Sequence, residues 1–359
     1  MSIHGKNLSA DKNYKGRNGC GIALAGNILT DRVKITDMYP EKGMLANISS
    51  VSTAVGGCVP NTAIDLAKID RDLGISALGL VGRDESGKYV LGEMSANGID
   101  VSGVKFSEST PTSFSDVISI EVTGERTFFH YRGANAEFSP SHIDISSLNC
   151  RMLHIGYILL LDSFDAADDE YGTVMARFLS RVQDAGIRTS IDVVSDSSGH
   201  FAEKVIPALK YTDNAFMNEI EGSGVSGLEV RDADGKLIIE NIRKTMEMIL
   251  SCGVRERVIL HCPEAGFCLN SDGVFTVVPS IKLPDGYIKG SVGAGDAFCA
   301  GCLWGIYKGL DDRAILEFAS GAACCNLAAK DSVSSMRDKD YIFDFLASHE
   351  RISLEERTV

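Results

Sequence analysis

KGSVGAGDAFCAG, residues 289–301, places Gly293, Ala294 and Gly295 directly before Asp296 and continues in small and apolar residues at helical spacing. Glycines allow the backbone to turn so that successive N–H groups converge, and the following helix adds its positive N-terminal end. Together these features form a binding site for an anion. The Asp296 carboxylate at the edge of this site can accept a proton from a hydroxyl group. An anion site beside a general base is what phosphoryl transfer to an alcohol requires.

Two other nucleotide-binding motifs are excluded for this glycine-rich segment. No Gly-Lys-Ser or Gly-Lys-Thr follows the glycines, so the segment is not a Walker A loop. The third glycine of a dinucleotide fingerprint would fall on Phe298. A structural alternative remains, in which the glycines form a turn and Asp296 caps the helix. Other segments of the chain must decide between the two.

Size, composition and charge limit the class of protein. A chain of 359 residues with 44% hydrophobic and 23% charged residues is typical of a globular protein with one large α/β domain or two domains. The formal net charge of -14 argues against nucleic acid and anionic membranes as partners, because both require basic surfaces. The polar segment 1–17 lacks the apolar core of a signal peptide, and no apolar run is long enough to span a membrane. We therefore expect a cytoplasmic protein.

The ten cysteines do not indicate a disulfide framework, because the chain is long and lacks a secretory signal. Cys299 and Cys302 have the spacing of a metal or redox pair. No second pair completes a four-thiolate site, and both residues lie in the predicted helix after Asp296. We interpret them as small buried core residues.

Strand and helix patterns alternate along most of the chain. Strand patterns occur at 21–25, 76–81, 152–161, 187–194 and 258–262, and helical patterns at 62–73, 90–94, 166–185 and 201–209. Such alternation predicts parallel βαβ units. The expected fold class is therefore α/β, with a central, mostly parallel sheet and helices on both faces.

Two segments interrupt this alternation. Residues 33–53 have no helical periodicity, and residues 114–131 have the pattern of a β-hairpin. A hairpin inserted into an α/β scaffold usually forms a lid or a dimerising flap. We predict one α/β domain over residues 19–349, with lid segments at 33–53 and 112–134. The polar residues 1–18 and 350–359 are predicted to be tails.

A second group of polar residues lies near the N-terminus. Asp31 follows the first predicted strand, and the segment GGCVPNTA, residues 56–63, contains Gly56, Gly57 and Asn61. The double glycine allows the backbone to approach a ligand closely. Asp31 and Asn61 offer acceptors and donors suited to sugar hydroxyls, although an asparagine at a helix start is often only a cap.

Four motifs in order make the chain resemble the ribokinase (PfkB) family of carbohydrate and nucleoside kinases. They are GGCVPNTA at 56–63, VGRDESG at 81–87, NEIE at 218–221 and GAGDAF at 293–298. The resemblance extends from about Gly21 to Met336. It implies a ribokinase-like fold with a small β lid, and a sugar kinase that uses ATP and Mg²⁺.

The resemblance also implies roles for individual residues. Asp296 would deprotonate the hydroxymethyl group of the acceptor, and the amides of Gly293, Ala294 and Gly295 would stabilise the transferred phosphoryl group. Sugar hydroxyls would be bound by Asp31, Gly56, Gly57 and Asn61. The nucleotide would contact Asn218, Gly266, Ser291, Gly293 and Gly295. Asn218 and Glu221 would organise Mg²⁺ through water, since Mg²⁺ keeps much of its hydration shell; a helix-capping pair is the alternative for these two.

Departures from the family pattern bear on the substrate and on a further cation. Gly290-Ser291 replace the usual Asp or Asn followed by Thr, so the pattern does not decide whether this chain has a K⁺ site. Cys58 stands where ribokinases proper have lysine, which disfavours ribose. Arg132, after the hairpin, suits a carboxylate or phosphate and would favour an acidic sugar.

The lid implied by the resemblance often forms the dimer contact in this family, so a homodimer is expected. A nucleoside kinase of the same superfamily is an alternative. Its base would need an apolar wall, for which the lid offers Phe114, Phe128, Phe129 and Tyr131. A sugar-binding protein without catalytic activity is a third possibility, which the intact Asp296 disfavours.

Overall fold

The computed structural model describes residues 20–123, 125–195 and 199–354, in which strands and helices alternate as predicted. The strands are β1 Ile22–Gly26, β2 Leu29–Thr36, β3 Ile48–Gly56, β4 Ile75–Gly82, β5 Asp100–Ser107, β6 Ser113–Ile120, β7 Arg126–Tyr131, β8 Met152–Ile158, β9 Ala167–Asp168, β10 Gly172–Thr173, β11 Arg188–Val193, β12 Asn214–Asn218, β13 Arg257–His261, β14 Ala265–Asn270 and β15 Phe275–Pro279. The α-helices are α1 Cys58–Ile69, α2 Glu85–Ala96, α3 Ala134–Glu137, α4 Val174–Asp184, α5 Phe201–Leu209, α6 Glu219–Ser226, α7 Ile239–Ser251, α8 Ala294–Lys308, α9 Asp312–Leu327 and α10 Lys339–Ser348.

The large sheet has nine strands in the order β15-β14-β13-β12-β11-β8-β1-β4-β5. Neighbouring strands from β5 to β13 run parallel, and β14 and β15 add two antiparallel strands at one edge. Strand β1 is buried at every residue because it lies inside this sheet with helices on both faces. Its side chains alternate between the two hydrophobic cores on either side of the sheet. Ile22 and Leu24 pack in one core, and Ala23 and Ala25 pack in the other.

The strand order reverses between β1 and β8. From β1 the chain continues to β4 and β5 on one side, and β8, β11, β12 and β13 follow on the other side. Such a reversal opens a crevice at the carboxyl ends of the strands, where ligands bind in open α/β sheets. The N-termini of α1 and α8 bring the two glycine-rich motifs to this end of the molecule.

A second sheet of four strands, in the order β3-β2-β6-β7, forms the lid. The predicted hairpin corresponds to β6 and β7, and the predicted segment 33–53 lies within β2, β3 and their connection; Gly124 in the predicted turn lies outside the described residues. The strand pairings place two sets of side chains on opposite faces. We define the inner face by Asp31, Val33, Ser115, Val117, Ser119, Arg126, Phe128 and His130, and the outer face by Arg32, Val51, Phe114, Phe129 and Tyr131.

The structure corrects two sequence predictions. The helix predicted at 166–185 begins only at Val174, because the residues before it form the short strands β9 and β10 and the Thr173 side chain caps the helix by accepting from Ala176 N. In the predicted tail 350–359, Arg351 forms a β-bridge with Ile281, and Ile352 N donates to Ser280 O. The chain is therefore attached to the sheet domain at least to residue 352, while residues 1–19 and 355–359 lie outside the described residues. Within the described part of the chain, no helix combines the length and the apolar character needed to cross a membrane.

Candidate active site

Asp296 lies in the first turn of α8, with 6% of its surface exposed. The helix is preceded by Gly293, whose φ of +77° lies in the left-handed region. A Cβ atom at this position would lie 2.6 Å from Cβ of Ser332. The turn therefore requires glycine, both for its backbone conformation and for the space. It places the first amides of α8 next to the Asp296 carboxylate, where Ala294 N donates to Ser291 O at 3.3 Å; the use of these amides as an anion site stays a prediction.

Two hydrogen bonds orient the Asp296 carboxylate. The Tyr157 hydroxyl donates to Oδ1 at 2.6 Å, and Asn61 Nδ2 donates to Oδ2 at 2.9 Å. Burial raises the pKa of Asp296 above its usual range, and the hydrogen bonds from Tyr157 and Asn61 act in the opposite direction. Each carboxylate oxygen keeps a further lone pair, so Asp296 is positioned and can still accept a proton.

Asn61 is engaged on both sides of its amide. Its Nδ2 donates to Asp296, and its Oδ1 accepts a hydrogen bond from Ser332 Oγ at 2.8 Å. Ser332 Oγ also lies 3.3 Å from Val55 O. The structure therefore gives Asn61 a role in orienting the carboxylate; its predicted contact with sugar hydroxyls stays a prediction.

Asp31, in β2, lies on the inner face of the lid and interacts electrostatically with Asp296. Burial and the Asp296 charge raise the pKa of Asp31 to about 7, against a smaller lowering by Arg126. A Cβ on Gly56 would lie 2.8 Å from the Asp31 carboxyl carbon, and a Cβ on Gly57, whose φ is +89°, would lie 2.5 Å from Asn27 O. The double glycine thus permits close packing around Asp31 and at the start of α1.

Cys58 follows the double glycine and is 1% exposed. Its Sγ donates a hydrogen bond to the Gly156 carbonyl oxygen at 2.6 Å. Burial raises the pKa of the Cys58 thiol, with the Asp296 charge acting in the same direction. A buried neutral thiol therefore occupies this position, and it contributes no charge to substrate binding.

The NEIE motif forms a capping box at the start of α6. Asn218 Oδ1 accepts from Glu221 N at 2.9 Å, and Glu221 Oε2 accepts from Asn218 N at 2.8 Å. Ser195 Oγ donates to Glu221 Oε1 at 2.8 Å. Burial raises the pKa of Glu221 to about 7. Asn218 and Glu221 therefore form the helix-capping pair that was the alternative to metal binding. This capping does not exclude a role of the two residues in metal binding.

Asp192, near the end of β11, adds a further buried carboxylate. Burial raises its pKa well above the usual range, and the charges of Glu221 and Asp296 raise it further. Within residues 20–123, 125–195 and 199–354, neither Asp192 nor Glu221 forms an ion pair with lysine or arginine. Carboxylates that repel one another in a buried site favour a bound cation, and oxygen donors suit Mg²⁺.

A cleft with a volume of about 1010 Å³ lies beside the N-terminus of α8. Its lining includes four residues predicted to contact the nucleotide, namely Asn218, Gly266, Ser291 and Gly295. The walls also include apolar side chains, among them Phe298 and Leu327. This size and mixed lining suit a ligand as large as a nucleotide.

Arg132 is occupied by other groups. Its Nη1 donates to Leu159 O at 2.8 Å and to Asp162 Oδ1 at 2.9 Å. The ion pair with Asp162 is partly exposed to solvent. The predicted contact of Arg132 with an acidic sugar would require this pair to rearrange, and it stays a prediction.

The aromatic residues suggested for a nucleoside base do not share one face of the lid. Phe114, Phe129 and Tyr131 lie on the outer face, opposite to Asp31, and only Phe128 lies on the inner face. Three of the four residues therefore cannot form the expected wall for a nucleoside base, because successive side chains of a strand point to opposite faces of the sheet.

Sequence reasoning missed Tyr157, Asp192, Ser195 and Ser332. Asp192 is the one acidic residue in the strand pattern 187–194, and a carboxylate near the carboxyl end of a buried strand is a signal that could have identified it. Tyr157 was hidden in an apolar strand pattern. Ser332 lies in a loop whose contact with Asn61 depends on tertiary packing.

The fold and the site together are typical of one class of protein. A buried, oriented carboxylate beside an anion-binding helix N-terminus, a nucleotide-sized cleft and a β lid at a switch point are the features of an α/β kinase that phosphorylates an alcohol.

The chain belongs to the pfkB family of carbohydrate kinases, whose sequence model matches residues 22–339. It is therefore a sugar kinase with the ribokinase-like fold. The chain is 25% identical over 323 residues to the ribokinase of Schizosaccharomyces pombe, covering 88% of this chain and 94% of that protein. It is 23% identical over 357 residues to the 5-dehydro-2-deoxygluconokinase of Photobacterium profundum, and this match covers 92% of this chain and 95% of that protein. The structure of Arabidopsis thaliana ribokinase, complexed with ribose and ATP, has a TM-score of 0.74 at 18% identity, covering 91% of this chain and 99% of that one.

Proposed function

We propose that this kinase transfers the γ-phosphoryl group of ATP to a primary hydroxyl of a small sugar or sugar acid, with Asp296 as the base. The observation that carries the proposal is the Asp296 carboxylate, buried beside the Gly293 turn and held by Tyr157 and Asn61. We further propose that residues 19–349 act as one kinase domain in the cytoplasm, where ATP is available.

Proton transfer would begin with the acceptor hydroxymethyl group next to Asp296. The carboxylate accepts the hydroxyl proton as the oxygen attacks phosphorus. Because Tyr157 and Asn61 hold both carboxylate oxygens, the base does not have to be reoriented in the transition state. The raised pKa of Asp296 makes the carboxylate a stronger base than an exposed aspartate.

Negative charge on the transferred group would be stabilised by the amides of Gly293, Ala294, Gly295 and Asp296. These donors lie at or beside the start of α8 and need little reorganisation as charge develops; Ala294 N would exchange or share its hydrogen bond to Ser291 O. Asn218, Gly266 and Ser291, which line the cleft, would contact the nucleotide.

Asn218 and Glu221 would organise Mg²⁺, with Asp192 as a further carboxylate. Their fit to a hard divalent cation rests on burial, oxygen donors and the lack of a lysine or arginine partner among the described residues. When bound, Mg²⁺ would neutralise charge on the triphosphate.

Asp31, with Gly56, Gly57 and Asn61, would bind the sugar hydroxyls beneath the lid. Lid closure would exclude water that could otherwise hydrolyse ATP.

We also propose a homodimer formed through the outer face of the lid, where Val51, Phe129 and Tyr131 are 66%, 54% and 41% exposed. Sedimentation velocity should then give a dimer for the wild type and a monomer for Phe129→Glu; a wild-type monomer would refute this contact.

A coupled ADP-release assay tests the proposed reaction. Ribose, fructose, 5-dehydro-2-deoxygluconate and adenosine are offered with ATP and Mg²⁺, and ³¹P NMR locates the phosphate on the product. We expect at least one sugar to be phosphorylated at its CH₂OH group. Turnover with adenosine alone would favour a nucleoside kinase. Thermal stabilisation by a sugar without any turnover would favour a binding protein.

A further inference from the structure

Two charged residues share the inner face of the lid. Asp31 pairs with Ser115, which pairs with His130, and Ser119 pairs with Arg126. Directly paired residues in adjacent strands point to the same face. Asp31 and Arg126 therefore both face the candidate sugar site, in agreement with their electrostatic interaction, which lowers the pKa of Asp31.

The Arg126 side chain reaches from the lid to the sheet domain. Its Nη2 lies 3.1 Å from the position that a Cβ on Gly290 would occupy. Gly290 directly precedes Ser291 and the Gly293–Gly295 turn. The guanidinium therefore lies between the residues proposed for sugar binding and the anion site.

Among the described residues, Arg126 forms no direct ion pair, and the nearby charge of Asp31 acts on it only beyond ion-pair distance, where it raises the pKa of Arg126. No carboxylate there lies within ion-pair distance, and no hydrogen bond from its guanidinium is formed. Partial burial lowers the pKa of Arg126, although not enough to neutralise a guanidinium. The other lid arginines differ, since Arg32 stacks on Phe114 at 3.8 Å and Arg132 pairs with Asp162. A partly buried, unpaired guanidinium aimed into a ligand site favours an anionic ligand.

We propose that Arg126 binds an anionic group of the acceptor, so that the preferred substrate is an acidic sugar carrying a carboxylate or a phosphate. The inference rests on the proposed kinase function. The acceptor is favoured over the nucleotide for two reasons. Arg126 shares its face with Asp31, and the described lining of the nucleotide-sized cleft includes no residue of the lid.

The test compares Arg126→Gln and Arg126→Lys with the wild type, using Arg32→Gln on the outer face as the matched control. Ribose and ribose 1-phosphate form one substrate pair, fructose and 5-dehydro-2-deoxygluconate the other. The preferred acidic sugar identifies the phosphate or the carboxylate as the anion. For that substrate, Arg126→Gln should raise KM about 10- to 100-fold with kcat within about threefold, as expected for a lost charge-assisted hydrogen bond. Arg126→Lys should retain part of the affinity, and neutral sugars should be unaffected.

Three results would overturn the inference. The first is a wild type that prefers neutral sugars. The second is an equal effect of Arg126→Gln on neutral and acidic sugars. The third is a fall in kcat with unchanged KM, which would assign Arg126 to the transferred phosphoryl group. A thermal-shift titration with each acidic sugar gives a readout without turnover, and stabilisation of the wild type should be lost in Arg126→Gln. If no sugar is phosphorylated by the wild type, the proposed function fails, while this titration still decides whether Arg126 binds an anion.

Discussion

Replacing Asp296 by asparagine exchanges one carboxylate oxygen for an NH₂ group and leaves the shape unchanged. The new amide can point its oxygen to Asn61 Nδ2 and its NH₂ group to the Tyr157 hydroxyl, which can accept as well as donate. Both contacts seen in the wild type therefore have a neutral counterpart. The variant should fold, so its activity reports on the base alone.

The expected loss follows from the role of a general base. Removing it should lower kcat by about 10²- to 10⁴-fold, which corresponds to about 3–5 kcal/mol of transition-state free energy. The KM for ATP should change little, because Asp296 does not line the nucleotide-sized cleft. The free energy of unfolding should not fall, because burial makes the Asp296 charge unfavourable in the folded state.

The assay is steady-state ADP release at saturating ATP and sugar, with thermal unfolding measured on the same samples. Asp213→Asn is the matched control: Asp213 is 1% exposed and accepts from Thr189 N at 2.7 Å, at the opposite end of the strands. It should lower stability and leave kcat nearly unchanged. Wild-type kcat in a well-folded Asp296→Asn variant would refute the assignment of the base.

The pH dependence provides a further check on the same site. The folded pKa values of Asp31 and Glu221 are about 7, above their usual values of 3.8 and 4.5. The stability that these protonated carboxyls contribute is fully present below about pH 4 and is lost as pH rises through 7. Without Mg²⁺, the unfolding temperature should therefore fall from pH 5 to 8. In assays that contain Mg²⁺, kcat/KM should rise with pH as Asp296 loses its proton.

The other predictions concern the groups around the base. Tyr157→Phe should raise the pKa of Asp296 and move the acidic limb of the pH–rate profile upward by about one unit, with a loss of about tenfold at pH 6 and less at pH 9; an equal loss at every pH would contradict this. Gly293→Val should lower kcat at least about 100-fold and also lower stability, because a φ of +77° disfavours valine and its Cβ would lie 2.6 Å from Cβ of Ser332, so the turn must shift and displace its amides; near-normal kcat would refute the placement of the anion site at this turn. Glu221→Gln should raise the Mg²⁺ concentration for half-maximal rate about tenfold, whereas Glu256→Gln, at the other end of the sheet, should not; an unchanged Mg²⁺ requirement would remove Glu221 from the metal site.

Much of the fold followed from local patterns. Buried parallel strands read as continuous apolar runs, as in Ile22–Gly26, and the glycine-rich turns mark the starts of α1 and α8. The start of α4 was predicted wrongly. Residues 166–173, AADDEYGT, were included in the helix, whereas they contain a short two-stranded hairpin and end at Thr173, whose side chain caps the helix. Local periodicity does not distinguish such a hairpin from the first turns of a helix.

The sequence by itself determined the α/β class, the family, the lid and the residue types of the GAGD turn, because each of these features is recognised from patterns within short segments of the chain. Only the tertiary structure decided which groups meet. Asp296 contacts Asn61 and Tyr157, which are 235 and 139 residues away in the chain. Strand register likewise decided that Arg126 joins Asp31 on the inner face while three aromatic side chains point outward. A shift of one residue in the pairing of the lid strands would exchange the two faces. The segment KGSVGAGDAFCAG, which contains the anion site, would then face a different set of charged side chains.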